Sequence, residues 1–258
     1  MLEDLRGRIA GQRVVVFVGA GVSVGASKSP LAGWKGFLEE GVTRCDMMFG
    51  SSLPAGWSQR QRDALERGDL DEWLNVAEAI SRKLEAPRGG EFRRWLRETV
   101  GQLEARGREV IEAIDALGVP LVTTNYDDLL EDVTGRSALT WRQEHRVSRF
   151  IDDGQLREVL HVHGHWDDSE SIVLGVRSYD HISGHQHAQS TLRTLIMTHT
   201  AVFVGYGEGL GDPNFGALRT WASSVLRGVE HRHYRLCLAS EEPKLRQDHE
   251  GERIFPLV

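Results

Sequence analysis

The spacing of apolar residues changes several times along the chain, and each change marks an element. Leu2, Leu5 and Ile9 recur at helical spacing. Val14 to Val18 then form an unbroken β-branched and aromatic run, as expected of a strand covered on both faces in a parallel sheet. The run stops at Gly19-Ala20-Gly21-Val22-Ser23, and the small, polar stretch Val24 to Pro30 reads as a loop. Helical spacing resumes near Trp34 and lasts to about Met48, with Trp34, Phe37, Leu38 and Cys45 on one side. From about Trp57 to Leu117 the reading is helical throughout. Leu70, Trp73, Leu74, Ala77, Ile80 and Leu84 make one stripe, and Phe92, Trp95, Leu96, Val100 and Leu103 another, separated by Pro87-Arg88-Gly89-Gly90. At this spacing the tryptophans read as core anchors rather than as a binding box.

Strands return at Val119 to Asn125, with a helix from Tyr126 to about Val133, and at Glu158 to Gly164, which ends in histidines. Ser171 to Gly175 is short and apolar and reads as a strand, with Arg177 opening a helix. Leu192, Leu195 and Ile196 mark a helix before the strand Ala201 to Gly207. A helix from about Pro213 to Leu226 and a strand from Tyr234 to Ala239 follow. The apolar ending Ile254 to Val258 suits a final strand or a point before a further domain. Strands alternating with helices predict an α/β fold: a doubly wound, mostly parallel, Rossmann-like sheet with a helical module at about 50–117.

Composition narrows the classes. The 258 residues are 40% hydrophobic and 27% charged, as in a soluble globular protein, and nothing approaches a membrane span or a signal peptide, so cytoplasmic is the default location. A net charge of −7 gives no basic footprint for nucleic acid. Cys45 and Cys237 alone exclude a disulfide framework and a four-cysteine zinc site.

The polar signals gather where ligands bind in an open α/β sheet, at the carboxyl ends of strands. They are Gly19 to Ser23, Thr123-Thr124-Asn125-Tyr126-Asp127, His161-Val162-His163-Gly164 and Gly205-Tyr206-Gly207-Glu208-Gly209. The first has the form of a phosphate cradle at a helix N-terminus. The four together line a crevice with glycines, an amide, a carboxylate and an imidazole. Asn125 can donate and accept hydrogen bonds without adding charge, or can serve as a turn or cap residue. His163 has the unperturbed pKa of a base at neutral pH. His161, two residues earlier on the strand, faces the same side and reads as a satisfied structural histidine, while His165 reads as exposed. Three histidines on alternating strand positions make a poor metal site. Asp128 reads as helix N-terminal charge. The segment Asp212-Pro213-Asn214 reads equally well as a helix start.

In this order the motifs resemble the sirtuin superfamily, whose NAD site uses Gly-Ala-Gly-(Ile/Val)-Ser, an Asn-x-Asp segment and a His-Gly pair. Trp34, the Val173-Leu174-Gly175 segment leading to Tyr179, and Gly205 to Phe215 bring the chain nearest to the bacterial sirtuin-like NAD hydrolase domains of antiphage defence. Sirtuin deacylases carry a four-cysteine zinc module and a Pro-Asp-Phe-Arg segment; here the corresponding stretch is Ser27 to Trp34, so the resemblance implies no zinc and disfavours deacylation. It implies one NAD-binding domain over 1–258, with room for a further domain beyond it. It implies cleavage of NAD to nicotinamide and ADP-ribose, with Asn125 orienting the ribose and attacking water and His163 as base. Asp127 would hold the nicotinamide carboxamide. Gly19, Ala20, Gly21 and Ser23 would line the pyrophosphate and ribose, and Gly205, Gly207 and Glu208 would close the ribose and adenine side. Partners expected on the same footing are NAD, further copies in a homo-oligomer, and a defence partner or phage-derived trigger, with no nucleic acid and no membrane. A binding module that senses NAD or ADP-ribose without cleaving it is the alternative.

Overall fold

The computed structural model of the chain describes residues 2–86, 89–152, 156–207, 211–225 and 232–258. Seven strands pair into one sheet: β1 (Val14–Val18), β2 (Leu121–Thr123), β3 (Ser137–Thr140), β4 (Glu158–His161), β5 (Thr200–Val204), β6 (His233–Leu236) and β7 (Ile254–Leu257). Their spatial order is β3-β4-β2-β1-β5-β6-β7, and every pairing is parallel. The chain works outward from β1 to one edge, then returns to the other side of β1 with β5. This order reversal opens a crevice at the carboxyl ends of β1 and β5. The fold is the Rossmann-like α/β sheet that the strand–helix alternation predicts.

The helices are α1 (Leu2–Ala10), α2 (Ala20–Ser27), α3 (Trp34–Phe49), α4 (Trp57–Arg67), α5 (Leu70–Glu85), α6 (Glu91–Glu98), α7 (Glu109–Asp115), α8 (Leu129–Thr134), α9 (Glu144–Asp152), α10 (Val176–Gly184), α11 (Gln186–Thr198), α12 (Pro213–Val225) and α13 (Glu242–Asp248). Successive strand residues point to opposite faces, so β1 feeds two cores. Val15 and Phe17 pack with Leu139, Leu160 and Phe203 against α9, α11 and α12. Val14, Val16 and Val18 pack with Leu121, Val159 and Tyr234 against α1, α2, α7 and α8. A third core joins α3, α5 and α6 around Trp95, which is fully buried and stacks on Phe37 at 4.1 Å. Tyr126, Ile172 and Leu174 tie that core to the strand ends.

Several elements differ from the sequence reading. Val24 to Pro30 is not all loop: residues to Ser27 belong to α2, whose small side chains let it lie close on the sheet. Its last turn is closed by Ser27 Oγ donating to the Ser23 carbonyl at 2.7 Å and by Lys28 in the left-handed region. Ser171 to Gly175 is not a strand. It is apolar because Ile172, Val173 and Leu174 are buried, and one backbone bond, Val173 N–H to the His163 carbonyl at 2.8 Å, anchors it. β3 and α9 have no counterpart in the reading. The 57–117 region is four helices, α4 to α7, and a 3-10 turn at Val100–Gln102, followed by an irregular stretch that donates Arg106 and Gly107 N–H to the Ala26 carbonyl. Pro87, Arg88, Glu208 and Leu226, which carry parts of that reading, lie outside the described residues.

Candidate active site

At the carboxyl ends of β1, β2 and β5 the structure holds a cavity of about 690 Å³, within the ~300–1,000 Å³ of small-molecule sites. The strand side contributes Gly19, Ala20, Gly21, Asn125, Asp127, His163, Gly205, Gly207 and Asp212. The opposite wall is apolar: Val24, Leu31, Trp34, Phe37, Leu70, Trp73 and Val100. Trp34 and Trp73 meet edge to face at 5.8 Å and both line the cavity, so Trp73, read as a core anchor, also faces the site, while Trp95 is the core anchor expected of it. The described lining contains no lysine or arginine.

The glycines of the floor are required by one another. Gly21 N–H donates to the Gly205 carbonyl and Gly19 N–H to the Val204 carbonyl, each at 2.9 Å. A Cβ on Gly19 or Gly21 would stand 2.8 Å from the Gly205 oxygen, and one on Gly205, whose φ is +73°, would stand 2.6 Å from Val22 N. Two backbones therefore meet where side chains would keep them apart. Those bonds use the N–H groups of Gly19 and Gly21. Ala20 N–H, at the uncapped start of α2, has no partner among the described residues. The positive end of that helix faces the cavity with a donor to spare.

Asn125 sits on a chain of buried hydrogen bonds. Its Nδ2 donates to the Gly19 carbonyl at 3.2 Å and to Ser23 Oγ at 2.8 Å; Ser23 Oγ donates in turn to Asp127 Oδ1 at 3.1 Å. Asp127 Oδ1 also accepts from Leu129 N–H at 3.1 Å, in the turn that leads into α8. Burial pushes the Asp127 carboxyl up to about 6, against the lowering effect of these two donors. With both amide hydrogens committed, Asn125 Oδ1 makes no hydrogen bond among the described residues and is the amide atom left for a ligand. From below, His161 Nδ1 donates to the Asn125 carbonyl and His161 Nε2 meets Glu131 Oε1, each at 2.8 Å. Burial opposes a charge on this ring, but the Glu131 carboxylate outweighs it and raises the His161 pKa. Two acceptors on one imidazole require it to carry both protons when Glu131 is ionised.

β4 ends at His161 and the chain turns, so His161 and His163 do not share a side as strand alternation implied. His161 lies against His165 at 4.8 Å, whereas His163 reaches the cavity between Tyr179 (5.5 Å) and Phe215 (6.0 Å). Gly164 permits the turn with φ +90°; a Cβ there would stand 2.3 Å from the Ser171 carbonyl oxygen. His165 is buried rather than exposed, its Nε2 2.7 Å from Asp128 Oδ1, while Asp128 Oδ2 accepts from the Trp166 indole N–H. Asp128 is thus a partner of two rings as well as a helix-terminal charge.

His163 Nε2 is buried without a hydrogen-bond partner. Burial drives the ring down to about 3, so the imidazole is neutral at physiological pH. Asp212 Oδ1 lies 3.9 Å from Nε2, too far for a hydrogen bond. Burial pushes the Asp212 carboxyl up to about 7, and with His163 neutral the two are not an ion pair. Asp212 Oδ1 accepts from Asn214 N–H at 2.9 Å and Phe215 N–H at 3.1 Å, capping α12. Sequence reasoning set Asp212 aside as a helix start. It is that, and it also faces the cavity; its place seven residues after Gly205 in the same strand-end segment was the available signal.

The structure thus brings Gly19, Ala20, Gly21, Asn125, Asp127, His163, Gly205 and Gly207 to one cavity. Ser23 stands one layer behind, its hydroxyl occupied between Asn125 and Asp127, and Glu208 lies outside the described residues. The carbonyls of Tyr206 and Gly207 are held by buried Arg235, which also donates to His249 Nε2 at 3.1 Å. Among the described residues no group of three or more His, Cys, Asp or Glu is set to hold a metal, and no helix is long and apolar enough to cross a membrane.

A Rossmann-like sheet with glycine, asparagine and histidine signals meeting at its order reversal defines a class, and comparison with known families agrees. Residues 120–255, over half of the chain, match the SIR2-like domain family, and the chain belongs to it. Among individual proteins it is similar to Defense-associated sirtuin 2 of Bacillus subtilis, 27% identical over 118 residues. That match takes in 44% of this chain and 12% of the relative, so the chain corresponds to a small part of that protein.

Proposed function

We propose that the chain is an NAD glycohydrolase, cleaving NAD with water to nicotinamide and ADP-ribose. The observation that carries this reading is the convergence of Asn125, neutral His163 and the open N-terminus of α2 on one cavity in a SIR2-like chain. The residues fit a dinucleotide: Ala20 N–H and the α2 dipole suit a phosphate, the glycine floor admits a close approach, and the tryptophan wall suits a flat ring. The substrate itself supplies a cationic pyridinium that leaves as a neutral base, so bond breaking needs little acid.

The protein's tasks are to hold, orient and take a proton. Asn125 Oδ1 accepts from the attacking water or a ribose hydroxyl, fixed in place by the two bonds from Nδ2. His163 accepts the proton as the water oxygen bonds to the ribose C1′ and the electron pair of the C–N bond passes to nicotinamide; the proton then returns to solvent. The apolar wall of Leu70, Trp73 and Val100 keeps bulk water from the reacting face.

The relative's name supports a role in defence; we propose that this role is depletion of host NAD on phage infection, held off until triggered by oligomerisation or by a partner, in a single NAD-binding domain with its helical module. Incubation with NAD and chromatography of the products tests the chemistry. Nicotinamide and ADP-ribose are expected, and no nicotinamide under any oligomeric condition favours a binding module instead. Gel filtration with activity assays tests the control: a constitutively active monomer sinks it.

A further inference from the structure

Asp212 is the one carboxylate within 4 Å of His163 among the described residues, and its placement answers a difficulty in the reading above, on which this inference rests. His163 is buried between Tyr179 and Phe215 at the cavity wall, and burial is what disfavours its charged form. A ring so placed takes a proton only if a counter-charge meets the imidazolium. Asp127 also lines the cavity, but among the described residues it is Asp212 and not Asp127 that comes within 4 Å of the His163 ring. Asp212 faces Nε2 at 3.9 Å, a gap that a small side-chain rotation or one bridging hydroxyl closes.

We propose that Asp212 is the positioning residue for His163: its carboxylate holds the ring in the Nε2–H tautomer and stabilises the imidazolium formed when the ring takes the substrate proton. In this arrangement Nδ1 is the accepting atom. The proton moves from the attacking hydroxyl to Nδ1, the ring becomes doubly protonated facing a carboxylate, and loss of that proton to solvent restores the starting state. No other group of the protein changes charge; the positive charge of the pyridinium is lost as the C–N electron pair passes to nicotinamide.

The groups around the pair favour one negative charge and little more. Tyr126, Tyr179 and Tyr206 face Asp212 and are held firmly protonated by burial, with the Asp212 charge adding to it. Arg219 on α12 attracts the carboxylate but is shared with Glu252 at 2.7 Å. Asp212 therefore ionises near neutrality, at about 7, and below that pH the pair has no counter-charge to offer. Activity should fall as pH drops through about 7.

Asp212 also caps α12, and the variant Asp212→Asn separates the two roles, because asparagine caps as well as aspartate and carries no charge. Nicotinamide release from NAD should fall in Asp212→Asn by roughly 10²-fold in kcat with KM little changed, and the acid limb near pH 7 should vanish. A variant that keeps the wild-type rate and pH profile makes Asp212 a cap alone and overturns the proposal. The second readout needs no activity. In ¹⁵N-histidine-labelled protein, the His163 ring nitrogens should move toward the Nε2–H tautomer as pH rises through 7 in the wild type and stay flat in Asp212→Asn. Flat behaviour in both overturns the pairing. Coupled ring shifts in a wild type that releases no nicotinamide keep the pairing and discard the hydrolase reading.

Discussion

Two helices start at the same cavity and treat it in opposite ways. α2 begins without a side-chain cap: its first turn is Gly19-Ala20-Gly21, and Ala20 N–H is left open. α12 begins with Pro213, which has no N–H to offer, and Asp212 takes up the N–H groups of Asn214 and Phe215. A helix N-terminus carries roughly half a positive charge. At α2 that charge is presented to a ligand, and at α12 it is met by the protein's own carboxyl. The cavity is thus polarised with no cationic side chain in its described lining. An anionic group belongs at α2 and a cationic or neutral one at the α12 end, where His163 also lies. The contrast would orient the proposed dinucleotide before any contact to its bases is considered.

The sharpest break in this picture comes from the reacting end. Asn125→Ala removes the amide and two bonds to the α2 turn, and His163→Ala removes the base; each should lower nicotinamide release by about 10²–10³-fold or more, read by chromatography. Full activity in either variant refutes its role. Gly205→Ala should cost about 2–4 kcal/mol of stability in denaturant unfolding, since alanine is strained at φ +73° and its Cβ meets Val22 N. An unchanged midpoint would mean that the two backbones are free to separate.

Stability against pH tests the α12 end alone. The folded-state pKa of Asp212 is raised to about 7 from 3.8, so the fold favours its protonated form. Its contribution is greatest below pH 4, declines as pH rises through 7, and is constant above that. Asp212→Asn should therefore gain on the wild type from pH 4 to 8, by at most about 2–4 kcal/mol; a constant gap would mean that Asp212 is ordinarily solvated. The smallest effect belongs to the apolar wall. Trp34→Ala should raise KM about three- to tenfold with kcat kept, as loss of one aromatic contact implies.

How much of this was legible in the chain follows from the physics of each piece. The buried strand Val14 to Val18 and the glycines after it are written in local sequence, because burial on both faces leaves no room for polar residues. Asn125 and His163 were visible for a similar reason, standing at ends of apolar runs. β3 was not, since Ser137-Ala138-Leu139-Thr140 lies at an edge with its first residue exposed and shows no apolar run. α2 was hidden because small residues suit a loop as well as a helix pressed onto a sheet. His165 was misplaced because its burial depends on Asp128, 37 residues away. Asp212 was undervalued because capping and facing a cavity leave the same mark in sequence.

The interlocked glycines also bear on which part of the cavity can open. Gly19, Gly21 and Gly205 bind the ends of β1 and β5 together at the centre of the sheet, where opening requires disrupting the most protected strands. Leu70, Trp73 and Val100 are held over them by side-chain packing, whose local opening costs less. If the chain acts as proposed, ligand exchange should pass the helical wall, and substitution at Trp73, remote in sequence from the glycine, asparagine and histidine motifs, should change product release.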